Sequence, residues 1–121
     1  MLTLPPSTRV FVATQPADMR RSFDGLLAIV RDFLGHDDPF TGHLFVFRNK
    51  RGDRLKVLWW DRDGLALFYK RLEEGRFTLA TPADDAKQIE MTAADLQLVL
   101  QGIDPNTVTR AKRFHRPATT S

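Results

Sequence analysis

Between Leu44 and Leu79 apolar and polar residues alternate in short runs, separated by three polar breaks that each end in glycine: Lys50-Arg51-Gly52, Arg62-Asp63-Gly64 and Glu73-Glu74-Gly75. Alternation with a period of two is the mark of strands. A three-residue break with glycine last suits a type I turn followed by a left-handed residue. The pattern predicts an antiparallel meander. Under that turn rule Asn49 opposes Asp53, Phe47 opposes Leu55 and Phe45 opposes Val57. Asp61 then opposes Leu65, Trp59 opposes Leu67, Val57 opposes Tyr69 and, past the third break, Leu72 opposes Arg76 and Tyr69 opposes Leu79. The registers agree and sort the side chains onto two faces. One gathers Phe45, Phe47, Leu55, Val57, Trp59, Leu67, Tyr69, Phe77 and Leu79, a core face for the first helix to cover. The other gathers Leu44, Val46, Arg48, Arg54, Lys56, Leu58, Trp60, Phe68, Lys70 and Arg76, half basic and half apolar. A slip of one residue in any turn exchanges these assignments.

The flanking segments read more simply. Arg9–Ala13 forms a short strand after Pro5-Pro6. Met19, Phe23, Leu26, Leu27, Val30, Phe33 and Leu34 recur at helical spacing, with Asp18 as N-cap or Pro16 starting the helix one turn earlier, and Gly35 as the stop. Gly25, unfavourable inside a helix, is explained by close packing against the sheet. Residues 80–91 form a connector with a short strand at 88–91. Thr92-Ala93-Ala94-Asp95 resembles a capping box and opens a second helix carrying Leu96, Val99, Leu100 and Ile103, which Gly102 ends. The expected fold is α+β: a four- to five-stranded antiparallel meander sheet packed by two helices. Residues 1–105 form one domain, followed by a basic, flexible tail over 106–121.

Composition narrows the function classes. A chain of 121 residues with 42% hydrophobic and 27% charged residues builds one modest core. It has no cysteine, hence no disulfide or thiolate chemistry, which fits a cytoplasmic setting. No apolar run is long enough to span a bilayer, and the first residues lack the pattern of a signal peptide. The net charge is only +3, but it is unevenly spread. Residues 48–76 carry nine Lys and Arg against five acids, and after Pro105 come Arg110, Lys112, Arg113 and Arg116 with no acid. Concentrated basic charge favours a polyanion or an acidic protein as partner.

Catalytic chemistry finds little support. Asp53, Asp61 and Asp63 lie in turns, where aspartate bonds its own backbone. His36, Asp37 and Asp38 lack the ligand spacing of a metal site. Ser22 has no evident base, and no phosphate-binding or dinucleotide fingerprint is present. The expectation is a protein without catalytic residues, metal or cofactor. Nucleic-acid binding suits the residues better: Arg48, Lys50, Arg51, Arg54, Lys56, Lys70 and Arg76 would contact phosphates, Trp60 and Phe68 would stack bases, and Arg110, Lys112, Arg113 and Arg116 would add an arm. On this reading replacing Lys56 and Lys70 by Ala weakens DNA binding with little loss of fold. The alternative assigns Leu58, Trp60 and Phe68 to a second buried face under the C-terminal helix, or to an interface with a second copy or another protein.

Several segments, taken in order, resemble a known family: Asp18-Met19-Arg20-Arg21-Ser22-Phe23-Asp24-Gly25-Leu26, Gly42-His43-Leu44-Phe45-Val46-Phe47-Arg48-Asn49-Lys50-Arg51-Gly52-Asp53-Arg54, Trp60-Asp61-Arg62-Asp63-Gly64 and Lys70-Arg71-Leu72-Glu73-Glu74-Gly75-Arg76-Phe77. Over residues 8–105 they look like the small accessory protein, TnpB or Orf2-like, of insertion sequences of the IS-sixty-six type, which is distinct from the much longer RNA-guided nuclease also called TnpB. The resemblance implies a bacterial protein that assists transposition beside a separate transposase; taken with the basic and aromatic residues, this makes DNA and the transposase the expected partners, with a second copy of the chain as a further one. It transfers no catalytic residue. The chain departs from the family after Phe77, where Thr78-Leu79 replaces the usual Trp-Pro and leaves Leu79 to fill the core position.

Overall fold

In the computed structural model, which describes residues 4–79 and 85–105, the apolar run Arg9–Ala13 lies inside the sheet rather than at its edge. The strands are β1 (Arg9–Ala13), β2 (Leu44–Arg48), β3 (Arg54–Asp61), β4 (Gly64–Arg71) and β5 (Gln88–Thr92), in the spatial order β4-β3-β2-β1-β5. β1 runs parallel to β2, while every other neighbouring pair is antiparallel. The α+β class and the number of strands agree with the sequence, although residues 76–79 form no strand and Gln88–Thr92 takes the fifth place. The sheet is mixed, however, and not an antiparallel meander. Parallel neighbours need a crossover, and the helical segment between β1 and β2 supplies it.

That segment begins later than its spacing predicts. α1 (Phe23–Ala28) has Ser22 at its N-cap and continues as a π-helical stretch over Ile29–Phe33. Asp18 instead closes a preceding turn, accepting from the Arg20 N–H at 2.9 Å. Gly35, at φ +78°, ends the helical run as expected. Gly25 does not approach the sheet: a Cβ there would lie 3.2 Å from Cβ and Cγ of Arg21, in the chain's own preceding turn. At the other end, Thr92 caps α2 (Ala93–Leu100) by accepting from the Asp95 N–H at 3.1 Å.

The first two turns depart from the three-residue rule in opposite directions. Asn49 pairs with Arg54, enclosing four residues, because the Asn49 side chain reaches across the turn: its carbonyl accepts from the Arg54 N–H at 3.0 Å and its amide donates to Asp53 at 2.6 Å. Asp53 is thereby drawn into the loop. In the second turn Asp61 pairs with Gly64, enclosing only Arg62 and Asp63. Here Arg62, not Gly64, takes the left-handed conformation, at φ +56°, and the Asp63 N–H donates back to the Asp61 carbonyl in a γ-turn. The two shifts cancel for β4 and leave β3 alone reversed. Phe45 therefore faces Leu58, Phe47 faces Lys56 and Val46 faces Val57. The third break turns at Gly75, φ +79°, but no strand follows. Leu72 donates to the Asp53 carbonyl at 2.8 Å, and Phe77 donates to the Gly52 carbonyl at 2.9 Å.

Both faces of the sheet are buried. Under α1 lie Phe11, Ala13, Phe45, Phe47 and Leu58 with Leu26 and Val30. Under α2 lie Val10, Val12, Leu44, Val46, Leu55 and Val57 with Leu96, Val99, Leu100 and the buried ring of Phe77. Trp59, Phe68, Leu72 and Leu79 pack along the edge of this second cluster. Leu79 thus contributes to the core.

Candidate nucleic-acid interface

Reversal of β3 takes apart the single basic face. Lys56 points to the α1 side and is only 5% exposed. Its ammonium donates to the carbonyls of Met19 and Arg21 at 2.7 Å each and lies 4.6 Å from the centre of the Tyr69 ring. Lys70 points to the α2 side, where it donates to the Leu100 carbonyl at 2.6 Å. A cation there satisfies one of the carbonyls left open at a helix C-terminus. Arg48 is half-buried and donates to the Thr14 carbonyl at 2.9 Å. These three cations hold segments of the fold together. Among the aromatics, Phe68 packs against the α2-side core. Trp60 sits at the far end of β3, edge-on to Phe40 with ring centres 5.2 Å apart.

The remaining predicted cations do come together, at the opposite end of β3. Lys50 and Arg51 lie exposed in the β2–β3 turn, and Arg54 begins β3 beside them. Arg76 lies against this turn: a Cβ on Gly52 would meet its aliphatic stem at 3.7–3.8 Å. Gly52 is at φ +78°, a conformation that favours glycine. The hydrogen bonds from Leu72 and Phe77 bind the two loops together. Arg20, absent from the sequence-based set, completes the group from the turn before α1. Residues 17–20 and the turn from Asn49 to Arg54 line a cleft of about 480 Å³. Its walls carry Arg20, Lys50, Arg51 and Arg54 against Asp18 and Asp53. The one sequence cue to Arg20 is its spacing from Asp18, which local pairing also explains.

The acids of this cleft are already engaged. Asp18 accepts from the Arg20 guanidinium at 2.7 Å. Those hydrogen bonds, with the Arg20 backbone N–H, hold its carboxyl at about 2 against an ordinary 3.8. Asp53 is held below its ordinary value chiefly by the Asn49 amide, with Arg51 and Arg54 adding to the effect. Both stay ionised well below neutral pH. By contrast, Lys50 and Arg76 have no ion pair or side-chain hydrogen bond among the described residues, and Arg51, 84% exposed, reaches Asp53 only at 4.0 Å. Arg54 donates to the Tyr69 hydroxyl at 3.1 Å. The predicted arm of Arg110, Lys112, Arg113 and Arg116 lies outside the described residues.

A second concavity, about 450 Å³, opens at the other end of the sheet between Leu4, Phe40, His43, Trp59, Trp60 and Arg62. No described helix is long and apolar enough to cross a membrane.

The sequence model of the family described as IS66 Orf2 like protein matches residues 8–110. The chain belongs to that family. The resemblance carried by the helix and turn motifs is therefore correct, and the IS66 Orf2-like family is associated with transposition in an accessory role. Among its relatives is the uncharacterized protein y4jC of Sinorhizobium fredii (strain NBRC 101917 / NGR234), 42% identical over 109 residues that cover 90% of each chain. Another is the uncharacterized protein y4hO of the same strain, 41% identical over 104 residues, covering 86% of this chain and 88% of its own. No solved structure matches.

Proposed function

We propose that this chain is a non-catalytic, cytoplasmic accessory protein that supports transposition of an insertion sequence by binding DNA at the basic end of the sheet, with the element's transposase as its protein partner. The observation that carries the reading is the set of cations left over once the fold has used its own. Lys50 and Arg76 are exposed with no ion-pair partner among the described residues, Arg51 is exposed and meets Asp53 only at 4.0 Å, and the three sit together because two loops are hydrogen-bonded to each other. Preplaced cations lose little freedom when they meet phosphates. Each phosphate neutralised releases counterions and steepens the salt dependence.

Titrating duplex DNA at several salt concentrations tests this. Replacing Lys50, Arg51 and Arg76 together by Ala should weaken binding at low salt and flatten the plot of log K against log salt by roughly 2 to 3 units, at about 0.9 for each phosphate that is no longer neutralised. No binding by the unaltered protein even at low salt would sink the reading.

A second reading, a protein-only module, is favoured by the aromatic cleft around Phe40, Trp59 and Trp60. Aromatic side chains in a concave site are common anchors for protein partners. Under it, Trp60→Ala abolishes co-purification with the transposase while the triple Ala variant leaves co-purification intact.

A further inference from the structure

The sheet ends on one side in β4, whose outer edge no described strand covers. β4 is eight residues long, with no proline and no charge from Gly64 to Tyr69. Exposed edges are normally blunted by charge, proline or shortness. The opposite edge follows that rule: β5 has five residues, and its Glu90 is paired to Arg9 at 2.7 Å. The direction of the free backbone groups on β4 can be read from the hydrogen bond that extends its ladder. Leu72 donates inward to Asp53, so by alternation Gly64, Ala66, Phe68 and Lys70 also turn their N–H and C=O toward β3. Leu65, Leu67, Tyr69 and Arg71 turn theirs outward.

We propose that β4 pairs antiparallel with β4 of a second copy, about a two-fold axis at Leu67, to form one sheet running through both copies. Charge complementarity selects this register. A two-fold between identical antiparallel strands places one residue opposite its own copy. Centred on Leu67, the pairing sets Leu65 against Tyr69 and Arg71 against Asp63 at both ends. Asp63 is exposed, its carboxylate has no side-chain partner among the described residues, and it would share Arg71 with Glu73, which lies 3.0 Å from the guanidinium in the single chain. Centred on Phe68 instead, it sets Leu65 against Arg71 and Asp63 against Glu73, two acids. Centred on Ala66 it sets Arg62 against Lys70, two cations. Of these three registers only the one centred on Leu67 sets opposite charges against each other at its ends, and it joins the outward-facing backbone of Leu65, Leu67 and Tyr69 in each strand. On the α1 side it also brings together Leu65, Leu67 and the ring of Tyr69, which is 46% exposed in the single chain.

The pairing does not depend on DNA binding, and it is tested without DNA. Sedimentation across a concentration series should find a dimer of the unaltered protein. Asp63→Arg and Arg71→Asp each place like charges opposite at both ends and should weaken the dimer about tenfold or more. The double variant restores opposite charges and should restore dimerisation. Hydrogen exchange supplies a readout independent of the variants: the amides of Leu65, Leu67, Tyr69 and Arg71 should slow as concentration rises. Circular dichroism confirms that each variant is folded. A monomer at every concentration overturns the proposal, as does a dimer indifferent to the single reversals, or a folded double variant that remains monomeric.

Discussion

Lys56 separates a surface role from a structural one. Its ammonium is buried and holds two backbone carbonyls, those of Met19 and Arg21, at 2.7 Å. Replacement by Met keeps most of the apolar stem and removes the two bonds. Hydrogen bonds to a charged group contribute about 1.5–3 kcal/mol each, or roughly 3–6 kcal/mol for the pair. Two effects reduce this figure. Met19 and Arg21 are partly exposed, so water can reach the freed carbonyls, and the variant no longer buries an ammonium that lacks a carboxylate partner. The expected loss is about 2–4 kcal/mol, on the order of 10 °C in Tm for a domain of this size. Lys50→Met, fully on the surface, should stay within about 0.5 kcal/mol of the unaltered protein. Urea and thermal unfolding of the two variants, set beside their DNA affinities, make the assay. The reasoning fails if Lys56→Met unfolds like the unaltered protein while losing DNA affinity as Lys50→Met does. That result would return Lys56 to the surface and β3 to the opposite register.

Three further perturbations probe other features of the fold. Thr92→Ala removes the cap of α2 and should cost about 1 kcal/mol, read by urea unfolding; no loss would mean that water replaces the cap. Arg62→Gly relieves a left-handed conformation at φ +56°, and since such a conformation costs a non-glycine residue roughly 1–2 kcal/mol, it should raise Tm unless the gain in unfolded-state freedom cancels it; a lowered Tm would contradict the γ-turn. The Asp18 carboxyl, depressed in the folded chain, lends stability that is full above its ordinary 3.8 and disappears as pH falls toward about 2. The stability gap between the unaltered protein and Asp18→Asn should therefore close across that window and shrink with salt, because the pair is exposed.

Local chemistry was legible in the sequence wherever one residue decides it. The Thr92 cap, the stops at Gly35 and Gly102, the strand over 88–91 and the buried Leu26, Val30, Leu96, Val99 and Leu100 of the two helical stripes follow from short-range rules and stand in the structure, whereas Phe23 and Ile103 of the same stripes are exposed. The partners of β1 were not legible, since no local pattern states that a strand inserts between two others. The candidate site divides along the same line. Lys50, Arg51 and Arg76 lie in loops or beside them, where a charged residue stays in solvent whatever the register, and these are the cations that emerge exposed. Lys56 and Lys70 lie in strands, where one residue of register decides between solvent and core.

Two cues in the turns decide that register, and both favour the structure over the glycine rule. Asn49 can bond across a turn with its side chain, which lengthens the first loop. Gly64 can join the strand if its neighbour accepts the left-handed conformation, which shortens the second. Each alternative alone would flip everything downstream. Taken together they reverse only β3, whose two faces are nearly balanced: Leu55, Val57 and Trp59 on one, Lys56, Leu58 and Trp60 on the other. A strand with a lysine on one face would normally turn that face to water. Here the carbonyls of Met19 and Arg21 stand ready for the ammonium, so the lysine face can be buried. The turn before α1 is therefore as much a determinant of the sheet's register as the hairpins are. Disturbing that turn should destabilise the same packing as Lys56→Met, and the two changes should be less than additive because they remove one shared interaction.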